Sequence, residues 1–200
     1  MRVAKVFGLI VCLLLILTGS APAEDREREK VTDPVLARFI EDAKAYVELR
    51  QKIEKDLPQL KDKEDANEIN AHQQTLRLKL AAARNGSRRG DLFTPDVASA
   101  LKRIINADLR GPAGKMARKT VGESSPQNVE CQVNSAYPST EPVSTVPPDL
   151  LRKLPELPDN LEYRFSKRDL ILRDAKANMI VDCLPNAIST VNRPTENKTE

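Results

Sequence analysis

The chain has 200 residues, of which 40% are hydrophobic and 30% are charged, and this size excludes a large multidomain protein. Aromatic residues make up only 4%, and 14 Pro stand against 7 Gly, which predicts a modest core with much irregular backbone. The formal net charge is +3 for the whole chain, and after the first 23 residues it is +1, with 30 bases against 29 acids. This near-neutral balance gives no electrostatic reason to expect a nucleic-acid partner.

The first 23 residues have the pattern of a signal peptide. A basic start at 1–5 precedes an unbroken apolar run at 6–17, and Ala21-Pro22-Ala23 supplies a cleavage site of small residues. A helix of that apolar run is about 18 Å long, well short of the ~30 Å hydrocarbon core of a bilayer. We therefore expect cleavage after Ala23 rather than an uncleaved anchor, no permanent membrane span after cleavage, and a periplasmic or secreted location.

The first helix of the mature chain is predicted from Asp33-Pro34, a capping residue followed by proline, to about Asp56. Its apolar stripe recurs at three- and four-residue steps and is interrupted only by Arg50. The stripe comprises Leu36, Phe39, Ala43, Tyr46, Ile53 and Leu57.

The second helix is predicted from about Glu64 to Asn85, where the following Gly86 is a C-terminal signal. The connection after Pro58 is short, so we expect an antiparallel helical hairpin in which the apolar sides of the two helices face each other. The apolar side of the second helix comprises Ile69, Leu76, Leu80 and Ala83.

A third helix is predicted to begin at Thr94-Pro95 and to end before Gly111, and a weaker helical turn follows at 113–121. These helices define a helical region at 24–121. The apolar side of the third helix comprises Val97, Leu101, Ile104, Ile105 and Leu109.

The second half of the mature chain, at 122–188, is rich in proline and has no long helical period. We expect the leucines and prolines of 146–160 to form extended or polyproline backbone over a sheet. The segment 129–133 is a candidate fourth strand, and the polar tail at 189–200 is predicted to be disordered. Three other segments alternate apolar and polar residues between turns and predict a small antiparallel β-meander, at 161–165, 170–172 and 179–183.

Two cysteines, Cys131 and Cys183, remain after removal of the signal peptide, and each lies on the apolar side of a predicted strand. An even number of cysteines in an oxidising compartment favours a disulfide, which on the chain-entropy model would contribute about 4 kcal/mol. The alternative is two reduced, buried thiols.

Two blocks of the sequence resemble a family of uncharacterised secreted bacterial proteins. The blocks are GDLFTPDVASALKR at 90–103 and LPELPDNLEYRFSKRDLILRDAKANMIVD at 154–182, which resemble the family patterns GDIFTP, with Leu92 in place of the isoleucine, and LPxLPxxLEYRF, and the helix of Tyr46 belongs to the same similarity. The resemblance implies a bacterial periplasmic setting and carries no activity. A fainter resemblance, at 157–182, is to the terminal hairpin of periplasmic nickel/cobalt-efflux accessory proteins.

No constellation of residues identifies a chemistry. His72 is the only histidine, and we interpret it as the edge of a helix interface because no nucleophile motif accompanies it. The acids at 62–68 lack the glycine and the ligand spacing of an EF-hand loop and are interpreted as a solvated helix start. No cofactor and no metal site are expected.

The remaining surface signal is basic. We interpret it as a solvated helix end whose cations complement the helix dipole, with contact to anionic lipid, cell-wall polymer or an acidic protein as the alternative. Phe93 is expected to pack as a hydrophobic staple and Asp91 to accept backbone N–H groups, and a contact surface of Phe93 with Arg84, Arg88 and Arg89 is the functional alternative. The basic cluster comprises Arg84, Arg88, Arg89, Lys102, Arg103 and Arg110.

The sequence therefore predicts an α+β fold, with a helical hairpin and a third helix followed by a small antiparallel β-meander. We expect an exported envelope protein that acts as a non-catalytic interaction or structural module, with an envelope protein or a cell-wall component as partner. Two alternatives stay open: a hydrolase that uses paired carboxylates, and a periplasmic metal-homeostasis accessory protein.

Overall fold

The computed structural model describes residues 33–59, 65–126, 129–141, 144 and 146–189, apart from the side chains of 111–113 and 124. The expected signal peptide lies outside the described residues, as does the expected disordered tail apart from Ser189. The described residues belong to one compact unit.

The described residues form five helices and three strands, so the expected α+β fold is confirmed. In chain order these are α1 (Pro34–Lys55), α2 (Ala66–Ala83), α3 (Pro95–Asp108), α4 (Gly111–Ser124), α5 (Pro148–Leu151), β1 (Leu161–Ser166), β2 (Asp169–Asp174) and β3 (Met179–Leu184).

The starts of the first three helices follow from their capping residues. The Asp33 carboxylate accepts a hydrogen bond from the Val35 N–H at 2.9 Å, and a proline follows the cap of both α1 and α3. At the start of α2, Asp65 and Glu68 form a reciprocal capping box. This confirms a helix start as the role of these two acids; Asp62 and Glu64 lie outside the described residues.

The helices α1 and α2 form the expected antiparallel hairpin. Tyr46 in the middle of α1 lies against Arg84 at the end of α2, whereas Glu54 near the end of α1 shares a cavity with Ile69 of the first turns of α2. The expected apolar side of α2 is only partly correct, because Ile69 and Ala83 are exposed and Leu76 and Leu80 supply the buried contact.

The helix α4 is longer than the weak helical turn expected at 113–121. It begins at Gly111, directly after α3, and continues to Ser124. A Cβ atom at Gly114 would lie 2.3 Å from the carbonyl carbon of Leu109, so the first turn of α4 approaches the end of α3 more closely than any residue with a side chain allows. A glycine inside the helix therefore sets the corner between α3 and α4.

The sheet is an antiparallel meander with the strand order β1-β2-β3, as expected. The candidate fourth strand at 129–133 is wrong. The chain begins to run along β3 only at Asn134. The N–H of Asn134 donates to the Ile180 carbonyl at 2.8 Å, and Ala136 forms an isolated bridge with Met179. The positive φ of 66° at Asn134 separates the earlier residues from the strand ladder.

The expected extended backbone at 146–160 is also partly wrong, because Pro148–Leu151 forms the short helix α5. Pro148 occupies the first turn, where its missing N–H costs nothing, and Leu150 and Leu154 are buried. Burial of these two leucines favours the helical turn over a polyproline conformation.

Two apolar clusters cover the two faces of the sheet. The helices pack with Leu170, Leu172 and Val181 in the main core, whereas Ile171 and Ile180 point to the opposite face, in a small cluster with Tyr137. All six residues of β3 are buried because both faces of this strand are covered. The sheet is therefore a central layer between the helices and the irregular segment at 129–137.

Candidate functional site

Asp182 of β3 is fully buried and binds the segment that precedes α3. Its Oδ1 accepts a hydrogen bond from the Gly90 N–H at 2.8 Å, and its Oδ2 accepts from the N–H groups of Leu92 and Phe93 at 2.9 and 2.8 Å. The Oδ1 atom also accepts from the N–H of Cys183 at 2.7 Å. We call this arrangement the Asp182 cluster, and it uses the charge of the carboxylate to satisfy four backbone donors.

Asp174 at the end of β2 is the centre of a second buried arrangement, the Asp174 cluster. Its Oδ2 accepts from the Tyr46 hydroxyl at 2.6 Å and from Nη1 of Arg50 at 3.2 Å. Its Oδ1 accepts from the backbone N–H groups of Lys176 and Ala177 in the β2–β3 turn. One carboxylate therefore connects two successive turns of α1 to the sheet.

The electrostatics of the Asp174 cluster keep Tyr46 protonated. Burial raises the pKa of Tyr46 well above its ordinary value, and the neighbouring Asp174 carboxylate raises it further. The Arg50 side chain is only 1% exposed, and it donates from Nη2 to the Asp159 carbonyl at 3.1 Å. The arrangement is therefore a hydrogen-bonded ion pair that holds α1 against the sheet and the turn before β1.

Arg84, at the end of α2, lies between the helices and the sheet. Its guanidinium lies 5.1 Å from the centre of the Tyr46 ring and donates to Oδ1 of Asn134 at 2.6 Å and to the Val181 carbonyl at 3.1 Å. Burial lowers the pKa of Arg84. The side chain points inward, so it is not part of an outward contact surface.

The other members of the predicted contact surface separate into buried and exposed residues. The Phe93 side chain is 3% exposed, and its ring centre lies 5.5 Å from that of Phe39 in α1. Phe93 therefore belongs to the core and is not a surface residue, which corrects the contact hypothesis for this position. Arg88 and Arg89 are exposed, and Asp91 accepts from the Arg88 N–H at 2.8 Å, as expected.

The disulfide between Cys131 and Cys183 is present, with Cα atoms 6.0 Å apart. The Cys183 side chain is buried in the second apolar cluster, and Cys131 packs against the same cluster. Cys131 lies in irregular backbone rather than in a strand, so the pairing is correct although half of its expected strand context is wrong. The bond fastens the segment at 129–137 to β3.

The cavities beside His72 are small and open. One, of about 300 Å³, lies between the chain after α1 and the first half of α2, and the other, of about 250 Å³, lies between α1, α2 and the β2–β3 turn. Each cavity contains one glutamate, and both glutamates are already bonded: Glu68 accepts from the Asp65 N–H in the capping box, and Glu54 pairs with Lys176. His72 is half-buried at the interface of the two helices.

The described residues contain no group of three or more His, Cys, Asp or Glu side chains that could hold a metal ion. Within the same part of the chain, no helix has both the length and the apolar character that crossing a membrane requires.

The sequence contains one signal for the Asp174 cluster. Arg50 is the one charged residue in the apolar stripe of α1, and it follows Tyr46 by one helical turn. Asp182 lies within the predicted strand at 179–183 and Asp174 follows the predicted strand at 170–172, but the burial of both acids is a property of the tertiary structure. A charged residue at a core position predicts a buried partner of opposite charge, but the partner itself is set by the tertiary fold.

Comparisons of the chain with protein-family models, with curated proteins and with solved structures find no match.

Proposed function

We propose that the chain is an exported protein of the bacterial cell envelope that acts as a non-catalytic interaction or structural module. The observation that carries this proposal is a contact between the two sequence blocks that resemble secreted bacterial proteins. The GDLFTP segment and the end of the second block meet at Asp182, which accepts hydrogen bonds from Gly90, Leu92 and Phe93. A structural contact with Asp182 is therefore a sufficient reason for the GDLFTP motif.

Export to an oxidising compartment is supported by the Cys131–Cys183 disulfide, because such bonds persist in the periplasm and outside the cell and are rare in the cytosol. The N-terminal pattern of basic, apolar and small residues supports the same location. We propose that the mature protein begins after Ala23 and is periplasmic or secreted.

The module role is supported by the hydrogen bonds that the buried charged side chains make within the protein. Asp174, Asp182 and Arg50 are each bonded to backbone or side-chain groups that hold the helices on the sheet. Such bonds fix one rigid arrangement and leave the exposed side chains to contact a partner, which we propose to be an envelope protein or a cell-wall component.

Two measurements test export. The protein isolated from the periplasm of its host is expected to begin at Glu24 by N-terminal sequencing, and its two cysteines are expected to resist thiol labelling until a reductant is added. A protein that begins at Met1, stays in the cytosol and carries two free thiols would contradict the proposal.

Affinity capture tests the module role. The exported, tagged protein is crosslinked in the envelope, and a specific partner is expected that is lost in an Arg88→Ala/Arg89→Ala variant and kept in a Lys52→Ala/Lys55→Ala variant. All four side chains are exposed, so neither variant removes a core contact. Turnover of a glycoside, ester or peptide substrate by the purified protein would overturn the non-catalytic role.

A further inference from the structure

The charge of the mature chain is concentrated in one stretch. Residues 77–119 contain 11 bases and 3 acids, a net charge of +8, whereas the rest of the chain after residue 23 contains 19 bases and 26 acids, a net charge of −7. The near-neutral total therefore hides a strongly basic part of the molecule, which runs from the second half of α2 into α4.

At the end of α3, exposed bases and exposed apolar side chains of this stretch lie near those of α5. The helix α4 begins there, since Gly114 lies directly against Leu109, and α5 also packs against α3, with Lys153 bonded to Asp108. We call this place the basic corner. It comprises Arg110, Lys115, Met116, Lys119, Leu151 and Lys153.

Two of the four large hydrophobic side chains that are exposed in the described part of the chain lie in the basic corner. Met116 is 70% exposed and Leu151 is 50% exposed. On α4, Met116 lies between Lys115 and Lys119 at helical spacing, so one turn of the helix presents an apolar side chain and two ammonium groups to solvent.

The acids near the basic corner are few and already bonded. Asp108 is covered by Lys153, and Asp149 pairs with Arg152 on the surface of α5. Glu123 pairs with Lys119 at 3.7 Å, an exposed contact between neighbouring turns that contributes little. Residues 108–123 and 149–153 together contain six bases against these three acids, so the corner keeps an excess of positive charge even though some of its bases are paired.

We propose that the basic corner docks the protein on the anionic phospholipid surface of a membrane in the cell envelope. Lysine and arginine side chains attract anionic headgroups, each by about 1 kcal/mol near the surface, and exposed methionine and leucine side chains insert at the boundary between headgroups and acyl chains. Charge complementarity favours this occupant over an uncharged polymer. The inference rests on the proposed export, because it requires a protein that meets an envelope membrane.

Sedimentation with lipid vesicles tests the inference. The protein used lacks residues 1–23, keeps all the described residues and has its disulfide intact. We expect binding to vesicles of phosphatidylcholine with phosphatidylglycerol at least about tenfold tighter than to phosphatidylcholine alone, and a steep loss of binding as salt is raised.

Three variants separate the contributions. Lys115→Gln/Lys119→Gln is expected to weaken binding to the anionic vesicles about 30-fold, since two attractive charges are removed. Met116→Gln is expected to weaken it by several-fold while leaving the salt dependence unchanged. The matched control, Lys52→Gln/Lys55→Gln on the exposed side of α1, is expected to bind as the unaltered protein does.

Equal binding to both kinds of vesicle, or unchanged binding by Lys115→Gln/Lys119→Gln, would overturn the inference. Binding to the soluble polyanion dextran sulfate without binding to anionic vesicles would also overturn it and would assign the corner to an anionic polymer. None of these three outcomes affects the proposed envelope role, which fails instead if the host keeps the protein unprocessed in the cytosol.

Discussion

The Oδ2 atom of Asp182 accepts a hydrogen bond of 2.8 Å from the backbone N–H of Phe93, which lies 89 positions earlier in the chain. The Phe93 ring packs in turn against Phe39 of α1. Through this pair, the last strand, the start of α3 and the first helix are held together. The relationship also explains how a short motif between two helices and an acid near the end of the chain depend on each other.

Substitution of Asp182 by Asn is expected to lower the free energy of unfolding by about 2–4 kcal/mol, because an amide NH₂ group would face backbone donors that now meet a carboxylate. Urea unfolding followed by circular dichroism measures this change. Asp91→Asn is the matched control and is expected to cost under about 1 kcal/mol, since Asp91 is exposed and accepts from the Arg88 N–H at the surface. Equal costs for the two substitutions would contradict the role given to Asp182.

The Asp174 cluster predicts energetic coupling between Tyr46 and Arg50, which donate to the same Oδ2 atom. Tyr46→Phe is expected to cost about 1.5–3 kcal/mol and Arg50→Met about 3–5 kcal/mol, because the second change leaves a buried carboxylate without its cation. The two costs are not expected to add in the double variant, and the difference from additivity should be at least about 0.5 kcal/mol. Strict additivity would mean that the two side chains do not share Asp174.

Reduction of the Cys131–Cys183 disulfide is expected to lower the free energy of unfolding by about 4 kcal/mol, because the bond closes a loop of 52 positions. Urea unfolding with and without a reductant measures the difference. The Cys131→Ala/Cys183→Ala variant should be as unstable as the reduced protein and should not respond to the reductant. A response in that variant would show that the reductant acts elsewhere.

Two buried tyrosines predict a loss of stability in alkali. Burial raises the pKa of Tyr46 and of Tyr163 above the ordinary value of 10.0. Above about pH 10 the unfolded phenols ionise while the folded ones keep their protons, so the free energy of unfolding falls as pH rises, by up to about 1.4 kcal/mol per pH unit for each tyrosine.

Urea unfolding at steps between about pH 9 and pH 11 measures this slope. The slope for Tyr163→Phe is expected to be shallower than that of the unaltered protein by up to about 1.4 kcal/mol per pH unit at the alkaline end of this range, in addition to a pH-independent cost from the lost hydrogen bond to the Pro155 carbonyl. An identical slope in the two proteins would mean that Tyr163 ionises in the folded state as easily as in the unfolded one.

The elements with local signals were predictable from the sequence. The capping residues Asp33 and Thr94, each followed by a proline, start α1 and α3. The alternation of apolar and polar residues between turns places the three strands within a few residues of their observed bounds. The expectations that failed concern segments whose conformation depends on distant contacts. The valine and cysteine at 129–131 pack on the sheet without joining its ladder, and Leu150 makes a helical turn where the prolines indicated extended chain.

The sequence by itself determined the positions of α1 to α3 and of the three strands, the α+β class and the pair of cysteines, because helix caps, turn residues and the period of apolar side chains act over a few neighbouring positions. Only the tertiary structure decided that Arg84 and Phe93 face inward, and that Asp174 and Asp182 each bind groups from distant segments. A buried charge requires a partner, and which partner it finds depends on the packing of elements far apart in the chain.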